Sequence, residues 1–242
     1  MKTVGMLGGT DWRLTALYCQ EINRLVQQRL GGGHSAKMVI SNPDAAELVA
    51  LQEKGQWREV GHLLEEAGSH LANAGADFLM VCGHAFHVVA EQLNAAVPVP
   101  FLHMGEAIGQ RLRRDGVHRV GMLGATFDLE QTFLRQSLAD GFGIDLVLPD
   151  AGPSFAIHDL ISRGETVLTP EAGSRFEAIF AGFRSREVEA VLLGDRRIAG
   201  LARQTACPLP VYDPVSLHVE AAVRLALAGE NFECPSSLTH AR

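Results

Sequence analysis

The sequence lacks any run of apolar residues approaching the roughly 20 that a membrane-crossing helix needs, so a bundle of membrane spans is excluded. It lacks a basic block as well. Lys and Arg number 21 against 28 Asp and Glu, a formal charge of −7, and the electrostatic footprint of nucleic-acid or anionic-membrane binding is missing. Cysteine is scarce: Cys19, Cys82, Cys207 and Cys234 form no C-x-x-C pair, which argues against a disulfide framework. No G-x-G-x-x-G loop and no P-loop lysine occur, so the common nucleotide cradles are absent too. The N-terminus enters a strand-like pattern at once, without signal-peptide architecture, and a soluble, cytoplasmic chain is expected. What is present is an ordinary globular composition, 47% apolar and 20% charged over 242 residues. At about 150 residues per domain that leaves room for one large domain or two small ones. A small anionic substrate stays open, because a site can be locally basic on an acidic protein.

An internal repeat divides the chain. Val4-Gly5-Met6-Leu7-Gly8-Gly9-Thr10 recurs as Val120-Gly121-Met122-Leu123-Gly124-Ala125-Thr126. Phe78-Leu79-Met80-Val81-Cys82 lines up with Val191-Leu192-Leu193-Gly194-Asp195, and Pro98-Val99-Pro100-Phe101-Leu102-His103 with Pro208-Leu209-Pro210-Val211-Tyr212-Asp213. Each segment is a short apolar run ending at a loop residue, the signature of a strand buried on both faces. Helical spacing fills the intervals at 14–30, 57–74, 129–139 and 173–183, with Gly31-Gly32-Gly33 and Gly75 as stops. Alternating strands and helices predict parallel sheets. The expected architecture is α/β, with two similar parallel-sheet domains related by a pseudo-twofold axis and a cleft between them. The first domain is placed at 1–103 plus the C-terminal 215–242, the second at 104–214.

In open parallel sheets ligands bind beyond the carboxyl ends of the strands. Those ends carry Gly8, Gly9 and Thr10; Cys82, Gly83 and His84; Gly124, Ala125 and Thr126; and Asp195, Arg196 and Arg197. The repeat makes Cys82 and Asp195 equivalent positions on opposite walls of the cleft. A free cysteine is commonly a small buried hydrophobe. Cys82, however, ends a strand and precedes Gly83, where the N-terminal amides of a following helix would lower its pKa and supply a thiolate. Cys19, Cys207 and Cys234 have no such setting. The run Cys82-Gly83-His84-Ala85-Phe86-His87 also carries soft donors, but C-x-H-x-x-H is a weak zinc pattern with no second cysteine arm, and no metal is expected. His87 and His103 read as hydrogen-bonded groups near the core. Gly8, Gly9 and Thr10 offer backbone N–H groups and a hydroxyl to a carboxylate, and Thr126 repeats the provision.

These residues resemble the aspartate/glutamate racemase family of cofactor-independent amino-acid racemases. The resemblance begins with Gly5-Met6-Leu7-Gly8-Gly9-Thr10-Asp11-Trp12 and continues through Gly32-Gly33-His34-Ser35-Ala36-Lys37, Asp44-Ala45-Ala46-Glu47 and the stretch 52–57. The family's first block, usually Cys-Thr-Asn-Thr-Met-His, is matched by Cys82-Gly83-His84-Ala85-Phe86-His87. Gly121-Met122-Leu123-Gly124-Ala125-Thr126 and Asp213 with His218-Val219-Glu220-Ala221-Ala222 fit further positions. The resemblance implies a homodimer without cofactor, in which one cysteine from each half flanks the substrate's α-carbon. One group removes a proton from one face while the other delivers a proton to the opposite face. The carbanion is stabilised by amides and hydroxyls around the carboxylate.

The second block departs from the pattern. Where the family reads Gly-Cys-Thr-Glu-Ile, this chain has Gly194-Asp195-Arg196-Arg197-Ile198, and Gly83 and His84 replace threonine and asparagine in the first block. The expectation is an isomerase acting on a small carboxylate such as aspartate or glutamate, with Cys82 and Asp195 as an atypical pair. Gly9, Thr10, Gly83, His84, Ala125, Thr126, Arg196 and Arg197 are the expected substrate contacts. Two alternatives are carried: a single-cysteine decarboxylase of a malonate-type acid, in which Arg196 or Arg197 holds a second carboxylate, and an inactive carboxylate-binding protein.

Overall fold

The computed structural model describes residues 1–124, 128–150, 169–194, 198, 204–205 and 207–228. The chain divides into two compact units, Met1–Leu102 with Val219–Arg242, and His103–His218. The first unit runs β1 (Val4–Leu7), α1 (Trp12–Leu30), β2 (Met38–Ser41), α2 (Ala45–Glu53), α3 (Trp57–Asn73), β3 (Phe78–Val81), a 3-10 turn (Ala85–Val89) and α4 (Ala90–Ala96). The second runs α5 (Met104–Arg114), β4 (Arg119–Leu123), α6 (Asp128–Phe142), β5 (Asp145–Val147), α7 (Pro170–Ser185), β6 (Ala190–Leu193) and β7 (Val211–Tyr212). The boundary between the units falls within α8 (Pro214–Ala226).

Both sheets are parallel, in the orders β2-β1-β3 and β5-β4-β6-β7. The repeat is therefore legible in the topology: β1 matches β4, β2 matches β5, and β3 matches β6. In place of β7 the first sheet has a single parallel bridge, Leu79 with Phe101. Prolines limit both outer segments, because Pro98, Pro100, Pro208 and Pro210 have no N–H to give to a ladder. Their carbonyls still serve: Leu79 N donates to Pro100 O (2.8 Å) and Val191 N to Pro210 O (2.8 Å).

Helices form where apolar spacing and caps agree. α1 buries Thr15, Tyr18, Ile22 and Val26 along one face and is capped by Asp11, which accepts from Arg13 N. Gly31, at φ 73°, stops it. α7 starts with Thr169 as cap and Pro170 in its first turn, and buries Ala172, Phe176, Ile179, Phe180 and Phe183. Each unit has its own apolar centre. In the first, Leu7, Leu64, Leu79, Val81, Phe86 and Leu93 pack together; in the second, Leu123, Phe176, Phe183, Val191, Leu193 and Ile198 do so.

The ladder corrects one step of the sequence alignment. Leu7 pairs with Val81 and Leu123 with Leu193, so the counterpart of Val81 is Leu193 and that of Cys82 is Gly194. The terminal bonds agree: Cys82 N donates to Leu7 O (2.8 Å), and Gly194 N to Leu123 O (2.6 Å). Asp195 is thus one residue beyond the ladder position of Cys82. Apolar residues on both faces of a buried strand carry no alternation, so composition alone does not resolve a one-residue slip.

Gly5, in the central strand, has no room for a side chain. A Cβ there would overlap Leu79 Cδ2 and lie 2.8 Å from Ala76 Cβ and 3.1 Å from the Phe78 carbonyl. Gly5→Ala is expected to cost about 1–3 kcal/mol, read as a melting temperature several degrees lower. Gly33→Ala, in open space, should leave it unchanged. Equal melting of both variants would refute this account of the β1 packing.

Candidate functional site

The order β2-β1-β3 sets three strand ends side by side. Gly8 N donates to Ser41 O (2.8 Å) and Cys82 N to Leu7 O (2.8 Å), so the loops leaving β1, β2 and β3 start in register. The β1 loop is glycine-bound for steric reasons. A Cβ on Gly8 would fall on Asn42 Oδ1 and come 3.1 Å from Thr15 Oγ1. A Cβ on Gly9 would lie 2.9 Å from the Cys82 carbonyl oxygen and 3.1 Å from Phe86 Cε2. Gly83 turns the chain out of β3 at φ 116°, which an L side chain rarely adopts.

Thr15 sits above these strand ends on the first turns of α1. Its Oγ1 donates to Asn42 Oδ1 (3.2 Å). Cys82 is buried, 2% exposed. Burial pushes its thiol up to about 12 from 9.0; the Thr15 hydroxyl pulls the other way, and Cys19 adds a smaller upward push. This reverses the expectation of a lowered pKa. The segment after Gly83 is the 3-10 turn Ala85–Val89, and removal of the thiol from water outweighs what nearby dipoles return. The resting group is a neutral thiol, a proton donor.

Of the residues anticipated from sequence, Gly9, Cys82 and Gly83 meet at these strand ends, with Thr10 and His84 half-buried in the same two loops. Ala125, Thr126, Asp195, Arg196 and Arg197 lie outside the described residues, and so does any facing of Cys82 and Asp195. In the second unit β4 and β6 are followed by Gly124, at φ 82°, and Gly194. His103 caps α5, its Nδ1 accepting from Gly105 N (3.0 Å), and its ring lies against Phe133 at 4.9 Å. His87 is buried with its ring 5.6 Å from that of Phe101. Among the described residues no group of three or more His, Cys, Asp or Glu side chains is arranged to hold a metal ion. Nor is any helix among them long and apolar enough to cross a membrane.

Thr15 and Asn42 were not anticipated. Thr15 is the one small polar residue on the buried stripe of α1, beside Tyr18, Ile22 and Val26. Asn42 follows β2, a strand too short and too exposed to stand out by pattern. A polar residue on an otherwise apolar helical stripe, at the end of the helix nearest a strand loop, was the signal available.

The class these features define is an α/β protein of two units, each a short parallel sheet covered by helices, with close-packed glycine loops at the carboxyl ends of the strands in the first unit. Residues 7–222 match the Asp/Glu/Hydantoin racemase family, and the chain belongs to that family. Among solved structures it is similar to a candidate Asp/Glu racemase from Yersinia pestis, with 31% identity over 94% of this chain and 100% of that one, and a TM-score of 0.87. An aspartate racemase homologue from Pyrococcus horikoshii shares the fold at 21% identity, 93% and 99% coverage and a TM-score of 0.81. Arylmalonate decarboxylase shares it at 18% identity, 94% and 93% coverage and a TM-score of 0.52.

The buried thiol has a measurable signature. Below pH 9 it is neutral in both folded and unfolded chains. Above 9.0 the unfolded thiol ionises while the folded one keeps its proton up to about 12, so stability tied to Cys82 is lost as pH rises through that window. From pH 8 to pH 10 the wild type should lose about 1.4 kcal/mol more than Cys82→Ser in urea unfolding. Parallel losses in the two proteins would contradict the raised pKa.

Proposed function

We propose that this chain is a cofactor-independent racemase-like isomerase that moves the α-proton of a small carboxylate such as aspartate or glutamate, with Cys82 and Asp195 as its acid–base pair. The observation that carries this reading is the place of Cys82: a buried thiol just past the carboxyl end of β3, beside the glycine loop of β1, where burial favours its protonated form. Membership of the racemase family supplies the reaction class. The Asp195 carboxylate takes the α-proton from one face, and the Cys82 S–H gives its proton to the other. The product leaves a carboxyl group and a thiolate, the mirror of the starting pair, and the reverse reaction uses them in exchanged roles. A thiol and a carboxylate at rest thus form one acid and one base without an added cofactor.

Amides and hydroxyls at Gly9, Thr10, Gly83, Ala125 and Thr126, with His84, would hold the substrate carboxylate and stabilise charge developing on the α-carbon. Arg196 and Arg197 are suited to a second carboxylate. Assembly as a cytoplasmic homodimer belongs to the same proposal.

A second reading draws on the protonated thiol itself. Loss of carbon dioxide from a malonate breaks a carbon–carbon bond and leaves its electron pair on the α-carbon, and a single donor such as Cys82 completes that reaction. Solvent then restores the thiol.

Incubation in deuterated water distinguishes these readings. The isomerase exchanges the α-proton of both enantiomers of its substrate, followed by proton NMR over a panel of amino acids and dicarboxylates. Cys82→Ala should slow exchange by about 10²- to 10⁴-fold, and Asp195→Asn should slow it comparably. Release of carbon dioxide from a malonate with one enantiomer formed would replace the isomerase by the decarboxylase. Thermal stabilisation by a carboxylate with neither reaction would leave a binding protein. Turnover that survives Cys82→Ala would remove Cys82 from the mechanism.

A further inference from the structure

The two halves of the repeat finish their outer segments in the same way. Phe101 bridges to Leu79 and Val211 pairs with Val191, and two residues on from each stand His103 and Asp213. Both cap the following helix with the same offset: His103 Nδ1 accepts from Gly105 N at 3.0 Å, and Asp213 Oδ1 accepts from Val215 N at 3.0 Å. Asp213 also accepts from Ser216 Oγ at 3.1 Å on its second oxygen. The chemistry of the two caps differs. A carboxyl oxygen keeps a lone pair in either protonation state, whereas an imidazole nitrogen accepts only while it is bare. The bond from Gly105 N therefore places the proton of the neutral His103 ring on Nε2. A second proton would turn Nδ1 into a donor facing a donor, and would set a positive charge where the dipole of α5 is already positive.

The first turn of α5 is packed as well as capped. Gly105 is buried, and a Cβ on it would overlap Ser137 Oγ and lie 3.1 Å from both Ser137 Cβ and His103 Nδ1. The half-buried His103 ring rests on Phe133 of α6, with centroids 4.9 Å apart. Solvent can thus deliver a proton to the ring, while its neighbours resist a change of pose. The titratable residues nearest by position are Glu106, in the first turn of α5, and Glu130, three residues before Phe133 on α6, whose side chain lies outside the described residues. A carboxylate near the ring would raise the pH at which it takes its proton, but would not give the lone pair back to Nδ1.

We infer that His103 is a proton-operated cap, which holds the first turn of α5 closed while the ring is neutral and releases it when Nδ1 is protonated, whereas the carboxylate cap of α8 stays in place. One proton taken up from solvent is the whole covalent change. Histidine ordinarily titrates near pH 6.5, so the device works within the physiological range. A fold that needs Nδ1 bare keeps this cap above that range and loses it as pH falls through it.

The test is NMR on the full chain from about pH 7.5 to about pH 5.0, following the His103 ring and the exchange of the Gly105 amide, corrected for the intrinsic pH dependence of exchange. Gly105 should lose protection by about tenfold as the ring titrates, the combined size of a lost cap and a charge added at a helix N-terminus. Val215 should keep its protection over the same range. His103→Asn, a cap that does not titrate, should hold Gly105 protection level, and His103→Ala should leave it low at both ends.

Protection of Gly105 that stays level while the wild-type ring titrates overturns the inference, and so does a ring that takes up no proton by about pH 5.0. A loss of the same size in His103→Asn, or at Val215, would assign the effect to general loosening in acid and overturn it as well. The measurement uses no substrate, so it stands apart from the outcome of deuterium exchange at the proposed site.

Discussion

One backbone hydrogen bond organises the site: the Cys82 N–H to the Leu7 carbonyl, at 2.8 Å. It is the last rung of a parallel ladder whose register is set by Leu7 against Val81, and it fixes where β3 stops relative to β1. Because β1 is central, the same register delivers Gly8 to Ser41 on the other side. Three loops then leave the sheet together, and the space between them is too small for a side chain on Gly8 or Gly9. The glycines are required by the closeness of the neighbouring chain, with no special φ needed at either. Helix α1, capped by Asp11 directly after the β1 loop, returns Thr15 over the junction. Site geometry is here a consequence of sheet register and helix capping.

The thiol illustrates two opposed effects of burial. Removing sulfur from water disfavours the thiolate and leaves a neutral donor. The same removal strengthens any hydrogen bond the sulfur does make, because water no longer competes for it. The first effect keeps the proton on sulfur, and the second makes any donor that reaches the sulfur count for more than it would in water. A solvent-exposed cysteine would ionise more readily, but water would weaken any hydrogen bond it made. The position of Cys82 favours proton donation over nucleophilic attack.

Much of the fold was legible where a segment was buried on both faces or carried a long apolar stripe, although α5 and α8, each with a buried apolar face, were not among the helices expected. β1, β3, β4 and β6 stand at the repeated apolar runs, and the helices expected at 14–30, 57–74, 129–139 and 173–183 are present with their ends moved by a few residues. The shifts have local causes. α1 begins at Trp12 because Asp11 caps it, and α7 at Pro170 because Thr169 does. β2 escaped notice because Met38–Ser41 is a four-residue edge strand with no fully buried position. β5 has three residues and one buried side chain. Within the site, Cys82 and the glycine loops were readable from their places at strand ends. Asn42 was hidden behind the missed strand, and Thr15 behind the habit of reading a helical stripe only for its apolar members. The thiol's protonation was misjudged because a motif shows which amides follow a cysteine, whereas burial is decided by the whole unit.

The register also bears on how alike the two halves are. The repeat preserves strand order, the terminal rung and the proline carbonyls that close each ladder, all of which are backbone features. It does not preserve side chains at the strand ends. The ladder position of Cys82 is occupied in the second unit by Gly194, which has nothing to titrate. The residues with charged side chains come only after it in the sequence, as Asp195, Arg196 and Arg197. Strand register is thus repeated while the side chains that follow it are not, so the duplication conserves the scaffold and leaves the chemistry of each strand end free to differ.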